Sequence, residues 1–358
     1  MSLSDGMNYA PEGKPSPVCR PGDFPFAAAH LDHGHIYGQC NGLVEAGGDL
    51  RWVYDPDKSK VEAFCANYPQ AKPAVSLEEI LDDASIKLIA AAAVPSERGP
   101  LGCRVMDSGK DYFTDKSPFT TLEQLSQARE TASRTRKKYM VYYSERLHVE
   151  CAVLAGQLVQ RGAIGRVFQT IGSGPHRLSA ASRPPWFFER AHYGGILCDI
   201  GSHQSEQFLF FTEARDARVN YSAAANFNNA KYPELEDFGE ASLTADNGAS
   251  GYYRVDWFTP DGLRNWGDGR TFIFGTKGTI ELRKYVELAA ENPKGDQLYL
   301  VDGTGEHRIS CAGKIGYPFF GQLILDCLNR TEEAMTQEHA FKAAELCLKA
   351  QSQAVRLQ

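Results

Sequence analysis

The sequence predicts an α/β protein with a doubly wound parallel sheet in its N-terminal part and an α+β domain with an open, largely antiparallel sheet after it. Strand and helix patterns alternate through residue 143, which is typical of a parallel sheet with helices on both faces. Short β-rich runs separated by turn residues occupy 219–309, which is typical of an antiparallel sheet. A length of 358 residues exceeds what one hydrophobic core usually holds, so two domains are expected.

The first predicted domain covers 24–147. Residues 1–23, rich in Pro and Gly, predict an extended arm that packs on its own body or on a neighbouring subunit. Ser76 followed by Glu79 is a capping-box signature for a helix. Apolar runs predict the strands 24–31, 50–54, 86–94, 111–114 and 139–143. The helices between them are predicted over 39–46, 59–68, 76–81, 97–108 and 121–138.

The second predicted domain covers 148–358 and opens with a helix over 148–161 and a strand over 167–172. The strands of its antiparallel sheet are predicted at 219–227, 240–245, 251–258, 271–274, 278–282, 297–301 and 307–309. Amphipathic helices over 319–328 and 338–356 follow. One face of such a sheet usually needs cover, so we expect a homodimer or homotetramer formed through it.

Composition excludes several classes of protein. The net charge of −7 and a pI of about 5.8 argue against a nucleic-acid partner, which usually meets a basic face. No apolar run reaches the length that spans a membrane. The nine cysteines include no Cys-x-x-Cys pair, which favours reduced thiols in a cytoplasmic protein over disulfides or a zinc site.

The first strand-to-helix turn is where a dinucleotide-binding fold of the Rossmann type carries G-x-G-x-x-G. In this chain only Gly34 and Gly38 remain of that pattern. Polar side chains surround them, and because ligands bind at the carboxyl ends of parallel strands, we expect these to line a cofactor site. The candidates in this turn are His30, Asp32, His33, Gly34 and His35. A metal site made by the three histidines with Asp32 is the weaker alternative, since no distant Cys or His pattern completes it.

Residues after the other strands complete the predicted cofactor site. Asp55 lies just over 20 residues beyond the first turn, where the acid that binds the ribose belongs. A carboxylate there repels a 2′-phosphate, so the sequence favours NAD, with NADP not excluded. The alternative is that Asp55 caps the helix after its strand. Pro95, Ser96 and Lys116 follow two further strands.

A second group of candidates lies at 192–211. Gly194 and Gly195 predict a turn that a bulkier residue would resist, with a helix after it. On that helix Asp199 and His203 lie one turn apart on the same face. A carboxylate beside an imidazole can handle protons near neutral pH. The alternative is a helix N-terminus with an Asp near the positive end of its dipole and a histidine held by ordinary hydrogen bonds.

The sequence resembles the glucose–fructose oxidoreductase / inositol dehydrogenase (Gfo/Idh/MocA) family from about residue 24 onward. The motif Gly194-Gly195-x-x-x-Asp199-x-Gly201-x-His203 carries this resemblance, together with the strand end Asp115-Lys116-Ser117-Pro118 and the order of the two domains. Ser117 replaces the proline that the family usually has after the lysine. The resemblance implies that Lys116, Asp199 and His203 are the catalytic group beside a nicotinamide.

The implied reaction is hydride transfer between a nicotinamide and a secondary alcohol carbon of a sugar, cyclitol or related polyol. His203 would accept the hydroxyl proton, Asp199 would orient the substrate or the imidazole, and Lys116 would stabilise charge on the oxygen and hold the cofactor ribose. Polar and aromatic residues expected to face the substrate are Arg146, His176, Arg177, Trp186 and Tyr193. For two of them plain structural roles are the alternatives, an internal ion pair for Arg146 and packing for Trp186.

Two other functions stay open at this point. One is redox-neutral use of bound NAD in glycoside cleavage or epimerisation. The other is a non-catalytic relative that senses a nucleotide and whose glycine turn has lost its pattern.

Overall fold

The computed structural model describes residues 6–288 and 295–358, so part of the predicted arm, residues 1–5, lies outside the described residues. The chain divides into two compact units. The parallel-sheet unit comprises Met7–Tyr142 and Pro318–Phe341. The mixed-sheet unit comprises the described residues of the remaining chain, mainly Tyr143–Tyr317 and Lys342–Gln358.

The parallel-sheet unit contains a six-stranded sheet in the order β3-β2-β1-β4-β5-β6, and all its neighbouring strands run parallel. This order has the switch point between β1 and β4 that characterises a doubly wound fold. The strands are β1 (Pro25–Ala29), β2 (Asp49–Tyr54), β3 (Lys72–Pro73), β4 (Leu88–Ala91), β5 (Asp111–Asp115) and β6 (Tyr139–Tyr142). The helices are α1 (His35–Glu45), α2 (Lys58–Asn67), α3 (Leu77–Asp82), α4 (Pro95–Asp107) and α5 (Leu122–Thr135).

The centre of this sheet is buried on both faces. Every residue of β1, β4, β5 and β6 is buried, which is why β1, β4 and β6 appear in the sequence as apolar runs. The two aspartates that begin and end β5 are buried as well. The caps form as predicted: Ser76 accepts the N–H of Glu79 at 3.3 Å, and Thr121 accepts the N–H of Gln124 at 3.2 Å. The helix over 122–135 ends three residues before the predicted end at 138, because Arg136 adopts a left-handed conformation with a φ of 56°.

The helix α11 (Pro318–Asn329) packs with the parallel sheet although it follows the mixed sheet in the chain. A side chain at Gly42 of α1 would overlap the ring of Phe320, so glycine lets the two helices approach closely. The boundary between the units then falls within α12 (Gln337–Ser352), after Phe341.

The described part of the N-terminal arm packs along α1 of its own chain. Its backbone N–H groups at Ser16 and Val18 donate to the carbonyls of Glu45 and Ala46, both at 2.9 Å. The N–H of Gly13 donates to the carboxylate of Glu45 at 2.8 Å. The bonds from Ser16 and Val18 satisfy carbonyls at the C-terminal end of α1 that the helix itself leaves unpaired. The arm is expected to pack either on its own body or on a neighbouring subunit, and residues 7–19 pack on their own unit.

The mixed-sheet unit contains nine strands in the order β14-β13-β12-β11-β7-β10-β9-β8-β15. Two of the eight neighbouring pairs, β10 with β7 and β15 with β8, are parallel, and the others are antiparallel. The strands are β7 (Val167–Pro175), β8 (Ala217–Ala225), β9 (Phe238–Ala245), β10 (Ser250–Asp256), β11 (Arg270–Gly275), β12 (Gly278–Arg283), β13 (Gln297–Asp302), β14 (Gly305–Ser310) and β15 (Val355–Arg356). The predicted fold class is confirmed in both parts of the chain.

Helices cover one face of this mixed sheet. The helices are α6 (Ser144–Leu147), α7 (Glu150–Gln160), α8 (Arg190–Tyr193), α9 (Ile196–Asp199) and α10 (Gly201–Thr212). A side chain at Gly251 of β10 would meet the ring of Phe208 at 2.6 Å, so glycine allows α10 to lie close to the sheet. The helix predicted over 148–161 is found as α7, which begins at Glu150 because Val149, the residue before it, is extended with a φ of −134°. The short helix α6 before it was not predicted.

None of the helices within the described residues has both the length and the apolar composition needed to cross a bilayer. All nine cysteines are free thiols.

Candidate functional site

The turn between β1 and α1 lies at the switch point of the parallel sheet. His30 extends the sheet, since its N–H donates to the carbonyl of Tyr54 at 2.9 Å and its carbonyl accepts the N–H of Ala92 at 3.0 Å. Its φ of 52° bends the chain out of the strand. Gly34 is the N-cap of α1 and His35 is the first helical residue, so the helix begins before the predicted start at 39.

Two histidines of this turn share one buried carboxylate. His35 Nδ1 lies 2.9 Å from Asp115 Oδ1, and His33 Nδ1 lies 3.3 Å from Asp115 Oδ2. The guanidinium of Arg98 lies 3.2 Å from the same Oδ2. All four side chains are buried. These four residues, the Asp115 cluster, join the first turn to the ends of β4 and β5.

Charges within the Asp115 cluster determine its protonation. Burial alone would raise the pKa of Asp115, but His35, Arg98 and His33 outweigh it and hold the pKa well below its usual range. Burial, with the positive charges of His35, Lys116 and Arg98, lowers the pKa of His33 well below its ordinary value despite the opposing Asp115. Asp115 is therefore an anion paired with Arg98, and His33 is neutral near neutral pH.

The alternative metal site gathers a different set of residues from the predicted one. Ligand atoms of His33, His35 and Asp115 lie within 4.8 Å of one another, which is close enough to hold an ion. The guanidinium of Arg98 already neutralises this carboxylate, and His33 Nδ1 accepts the N–H of His35 at 3.2 Å. Hydrogen bonds and one ion pair thus account for the arrangement without a metal.

Lys116 lies directly after β5, at the carboxyl end of a central strand. Its N–H donates to Asp115 Oδ1 at 2.8 Å and its carbonyl accepts a hydrogen bond from Arg98, so the Asp115 cluster fixes its backbone. The side chain is buried. Pro95 and Ser96 are the first two residues of α4, after β4. All three residues lie at the sheet edge where the sequence places them.

Asp55 lies at the same edge, after β2, with its side chain fully buried. Its carboxylate accepts the N–H of Leu31 at 2.6 Å and the N–H of Asp57 at 2.8 Å. Lys60 Nζ lies 3.8 Å from Asp55 and 2.6 Å from Asp32. The N-cap of α2 is Asp57, so the alternative interpretation of Asp55 as the helix cap is wrong.

The residues at this edge fit a dinucleotide. The N-terminus of α1 and Asp55 lie where a dinucleotide-binding fold places the pyrophosphate and the ribose. The first N–H group of α1, that of His35, already donates to His33 Nδ1. The N-terminal arm lies against this end of the helix. A Cβ on Gly34 would lie 2.6 Å from the carbonyl oxygen of Met7 and 2.5 Å from Asn8 Oδ1. The arm therefore narrows the approach to α1.

In the mixed-sheet unit, the turn at 194–195 has the predicted glycine geometry. Gly194 and Gly195 have φ angles of 85° and 101°, which residues other than glycine rarely adopt. A Cβ on Gly195 would also overlap the side chains of Arg190 and Gln351. Both the backbone conformation and the space therefore require glycine at 195.

Asp199 and His203 lie on two adjoining helices, since Asp199 ends α9 and Gly201 begins α10. Ile200 between these helices keeps a helical backbone, with a φ of −70° and a ψ of −38°, so the chain is helical from Asp199 to His203 as predicted. The N–H of His203 donates to the carbonyl of Ile200 at 3.2 Å, and the hydroxyl of Ser202 donates to the carbonyl of Asp199 at 2.7 Å. The side chains of Asp199 and His203 are both buried.

His203 belongs to a buried group that the sequence did not single out. The carboxylate of Glu145 in α6 lies 2.8 Å from Lys284 Nζ and 3.9 Å from His176 Nε2. His203 also helps to lower the pKa of Glu145. We call Glu145, Lys284, His176 and His203 the Glu145 cluster. Glu145 lies in a strand-end segment that the sequence marks as polar, but Lys284 gives no local signal because its partner is 139 residues away.

Two of the predicted substrate residues have internal partners. Arg146 Nε donates to both carboxylate oxygens of Glu206, at 2.7 and 2.9 Å, which is the structural ion pair left open as the alternative. The hydroxyl of Tyr193 donates to the carbonyl of Glu234 at 3.1 Å and accepts the N–H of Glu236 at 2.9 Å. Substrate roles for Arg146 and Tyr193 stay predictions.

The other three predicted substrate residues lie in different surroundings. His176 belongs to the Glu145 cluster, and its ring lies 4.5 Å from that of Trp266. Arg177 Nη2 donates to two backbone carbonyls within 260–263, at 2.9 and 2.7 Å. Trp186 is half-buried in a short 3-10 turn. Of the five, His176 alone joins the cluster that contains His203.

Both parts of the chain match known protein families. The family described as "Oxidoreductase family, NAD-binding Rossmann fold" matches residues 28–143. The family described as "GFO/IDH/MocA C-terminal domain" matches residues 153–281. An Erwinia carotovora atroseptica protein, provisionally called an oxidoreductase, has a crystal structure that is 49% identical, with a TM-score of 0.91. That match covers 94% of this chain and 100% of the other.

Two more distant relatives have named activities. The scyllo-inositol 2-dehydrogenase (NAD(+)) of Bacillus subtilis is 25% identical over 68% of this chain and 69% of its own length. The D-xylose dehydrogenase of Paenarthrobacter nicotinovorans is 22% identical over 58% of this chain. The matched region spans about half of the xylose enzyme, 53% of its length.

The chain therefore belongs to the Gfo/Idh/MocA family of oxidoreductases, as the motif at 194–203 and the order of the domains predict. This membership confirms the prediction of an oxidoreductase with an NAD-binding fold. The roles of individual residues stay predictions.

Replacing Asp115 by Asn tests the Asp115 cluster. The variant leaves Arg98 buried without its carboxylate, so we expect the free energy of unfolding at neutral pH to fall by about 3 kcal/mol. The folded protein holds the pKa of Asp115 low, so this stabilisation is present above about pH 4, the ordinary pKa of Asp, and is lost as the pH falls toward the folded pKa. Urea unfolding of both proteins from neutral to acidic pH measures the difference.

Asp49→Asn is the matched control, since Asp49 forms a half-exposed pair with Arg51 on the same sheet. It should change stability little. Equal stability of Asp115→Asn and the wild type at neutral pH would contradict the role of the cluster.

Proposed function

We propose that this protein is an NAD-dependent dehydrogenase that transfers a hydride between nicotinamide and a secondary alcohol carbon of a sugar, cyclitol or related polyol. The observation that carries this proposal is the fold of the Gly194-Gly195…Asp199…His203 motif, which buries His203 on α10, the helix whose Gln204 donates a hydrogen bond to the carboxylate of Glu145. An imidazole in such surroundings is suited to accept a proton near neutral pH. NAD, when bound, supplies the hydride acceptor.

The proposed roles follow the chemistry of each side chain. His203 accepts the hydroxyl proton as the C–H hydrogen leaves as hydride, and Asp199 orients the substrate or the imidazole. Lys116 stabilises the charge that develops on the oxygen and contacts the cofactor ribose. The backbone of Lys116 is held by Asp115 and Arg98, which favours a fixed position for its ammonium group.

The substrate class is supported by the relatives. Their names specify a pentose and a cyclitol, both of which are polyhydroxylated and uncharged. Hydroxyl groups in such ligands need donors and acceptors rather than a strong counter-charge. In the Glu145 cluster the Glu145 charge is balanced by Lys284, which suits a neutral polyol.

Turnover of a panel of sugars and cyclitols with NAD tests the proposed activity, with NADH formation followed by absorbance. We expect at least one polyol to be oxidised, and His203→Ala to lower kcat by about 10²–10⁴-fold because the proton acceptor is lost. Binding of NADH to the variant should be unchanged.

His192→Ala is the matched control, because His192 is an exposed histidine of the same segment. Unchanged turnover in His203→Ala would refute the role of His203. Tightly bound NAD without net NADH formation would favour the redox-neutral alternative, and absence of any nucleotide binding would favour the sensing one.

Cofactor choice is tested by titrating the protein with NADH and NADPH separately, using nicotinamide fluorescence. We expect NADH to bind at least about tenfold more tightly, since Asp32 and Asp55 both pair with the one ammonium group of Lys60 and so leave a net negative charge that repels a 2′-phosphate. Asp55→Asn should narrow this preference, whereas Asp49→Asn, at the other end of β2, should not. Tighter binding of NADPH to the wild type would reverse the cofactor assignment.

We also propose that the mixed sheet forms a homodimer or homotetramer. Gly251 faces Phe208 of α10, so the next residue, Tyr252, points to the opposite face. In register with Tyr252 lie Ile171 and then Phe272, and these three residues form a partly exposed apolar row. Such a row on an open sheet face favours a protein partner.

Light scattering at micromolar concentration tests this assembly. We expect the wild type to be a dimer or tetramer and Phe272→Lys to dissociate it, because a charge would be buried in the interface. Phe188→Lys, a change at a half-buried aromatic residue outside the sheet, is the control. A monomeric wild type would rule out the proposal.

A further inference from the structure

The Glu145 cluster contains a buried carboxylate to which the proposed reaction assigns no step. Glu145 lies in α6 with its side chain 2% exposed. One oxygen, Oε2, accepts hydrogen bonds from Lys284 Nζ at 2.8 Å and from Gln204 Nε2 at 3.1 Å, with Gln207 Nε2 at 3.5 Å. Gln204 and Gln207 follow His203 on α10 by one and four residues, so the carboxylate is tied to the helix that carries the proposed proton acceptor.

The other oxygen of Glu145 faces an imidazole. Oε1 is buried and has no hydrogen-bond partner among the described residues, and His176 Nε2 lies 3.9 Å from it. His176 Nδ1 lies 3.2 Å from the carbonyl of Gly174, so Nδ1 carries the hydrogen in the neutral ring. Nε2 can donate toward Glu145 only when the ring is protonated. Glu145 is therefore placed to stabilise a positive imidazole rather than a neutral one.

Glu145 keeps its charge despite its burial. Burial alone would raise the pKa of Glu145, but Lys284, His203 and His176 outweigh it and lower the pKa to about 2. Lys284 is fully buried as well, so neither charge is screened by water. A carboxylate of this kind lowers the free-energy cost of forming an imidazolium nearby.

Most of the other charged groups around the Glu145 cluster form ion pairs with one another. Asp199 ends α9, Arg177 lies two residues beyond β7, and Lys284 directly follows β12. The other charges form the pairs Arg146–Glu206, Arg283–Glu287 and Arg177–Asp261. Glu145 is thus a buried carboxylate that faces His176 with one oxygen and is bound to α10 through the other, in addition to Asp199 four residues before His203.

We propose that Glu145, held by Lys284, is the positioning residue of the proposed reaction: it orients His203 through α10 and stabilises the imidazolium that forms when His203 accepts the substrate proton. In the oxidation, the O–H proton passes to His203, the C–H hydrogen passes as hydride to NAD, and a carbonyl remains on the product. Glu145 exchanges no proton in this sequence. The inference rests on the proposed function, and it adds a pair of residues that touch neither substrate nor cofactor.

Three variants separate the electrostatic role from a structural one. Glu145→Gln removes the charge at nearly constant shape but leaves Lys284 buried without its partner. The double variant Glu145→Gln, Lys284→Met removes both charges and so should fold as well as the wild type. Glu145→Asp keeps the charge on a shorter side chain. Glu189→Gln is the matched control, because Glu189 is an exposed glutamate 3.2 Å from His192.

Turnover of the full-length protein is measured against pH for each variant. We expect kcat to fall by about 10–10²-fold in Glu145→Gln and in the double variant, with KM changing little. The acid limb of kcat/KM should move to lower pH in both, because an imidazolium without its carboxylate loses its proton more easily. Glu145→Asp should recover part of the wild-type profile. A double variant with wild-type kcat and an unmoved acid limb would overturn the proposal.

A second readout does not depend on turnover. In full-length protein with labelled histidine, NMR follows the titration of the His203 and His176 rings, which His203→Ala and His176→Ala assign. We expect the titration midpoint of His203 to fall by at least about one pH unit in Glu145→Gln, and not in Glu189→Gln. An unmoved midpoint in an active enzyme refutes the inference alone. A shifted midpoint in a protein that oxidises no polyol refutes the proposed function alone.

Discussion

A charge buried away from water has to be paired, and both candidate clusters of this protein follow from that constraint. In the parallel-sheet unit, Arg98 and two histidines hold the Asp115 carboxylate and thereby fix the first turn and the backbone of Lys116. In the mixed-sheet unit, Lys284 holds the Glu145 carboxylate, which also accepts a hydrogen bond from Gln204 on the helix that carries His203. Removing one member of either pair leaves the other uncompensated, so the geometry of the proposed catalytic residues depends on these pairs.

The glycine turn shows how the same fold adapts when its usual pattern is absent. Gly34 remains as the N-cap of α1, and histidines replace the other small residues. The ring of His35 is hydrogen-bonded to Asp115, and the ring of His33 accepts the N–H of His35. The arm residues Met7 and Asn8 lie against Gly34. The turn is therefore built from side-chain hydrogen bonds where most dinucleotide folds use glycine.

Local patterns in the sequence predict the elements of both sheets well, because continuous apolar runs and alternating runs report directly on burial. The motif at 194–203 likewise predicts a turn that requires glycine at 194 and 195, and both residues have positive φ angles. Features that depend on distant partners were not predictable. Arg98 and Lys284 look like ordinary cations until the fold brings each of them to its carboxylate.

The central claim is that this chain moves a hydride from a polyol carbon to nicotinamide. The most direct test incubates the protein with NAD and sugars or cyclitols that carry deuterium on their secondary alcohol carbons, and examines the reduced cofactor by mass spectrometry. The account predicts NADH that carries the deuterium from the substrate carbon. A cofactor that stays oxidised, or one that is reduced without the label, would contradict it.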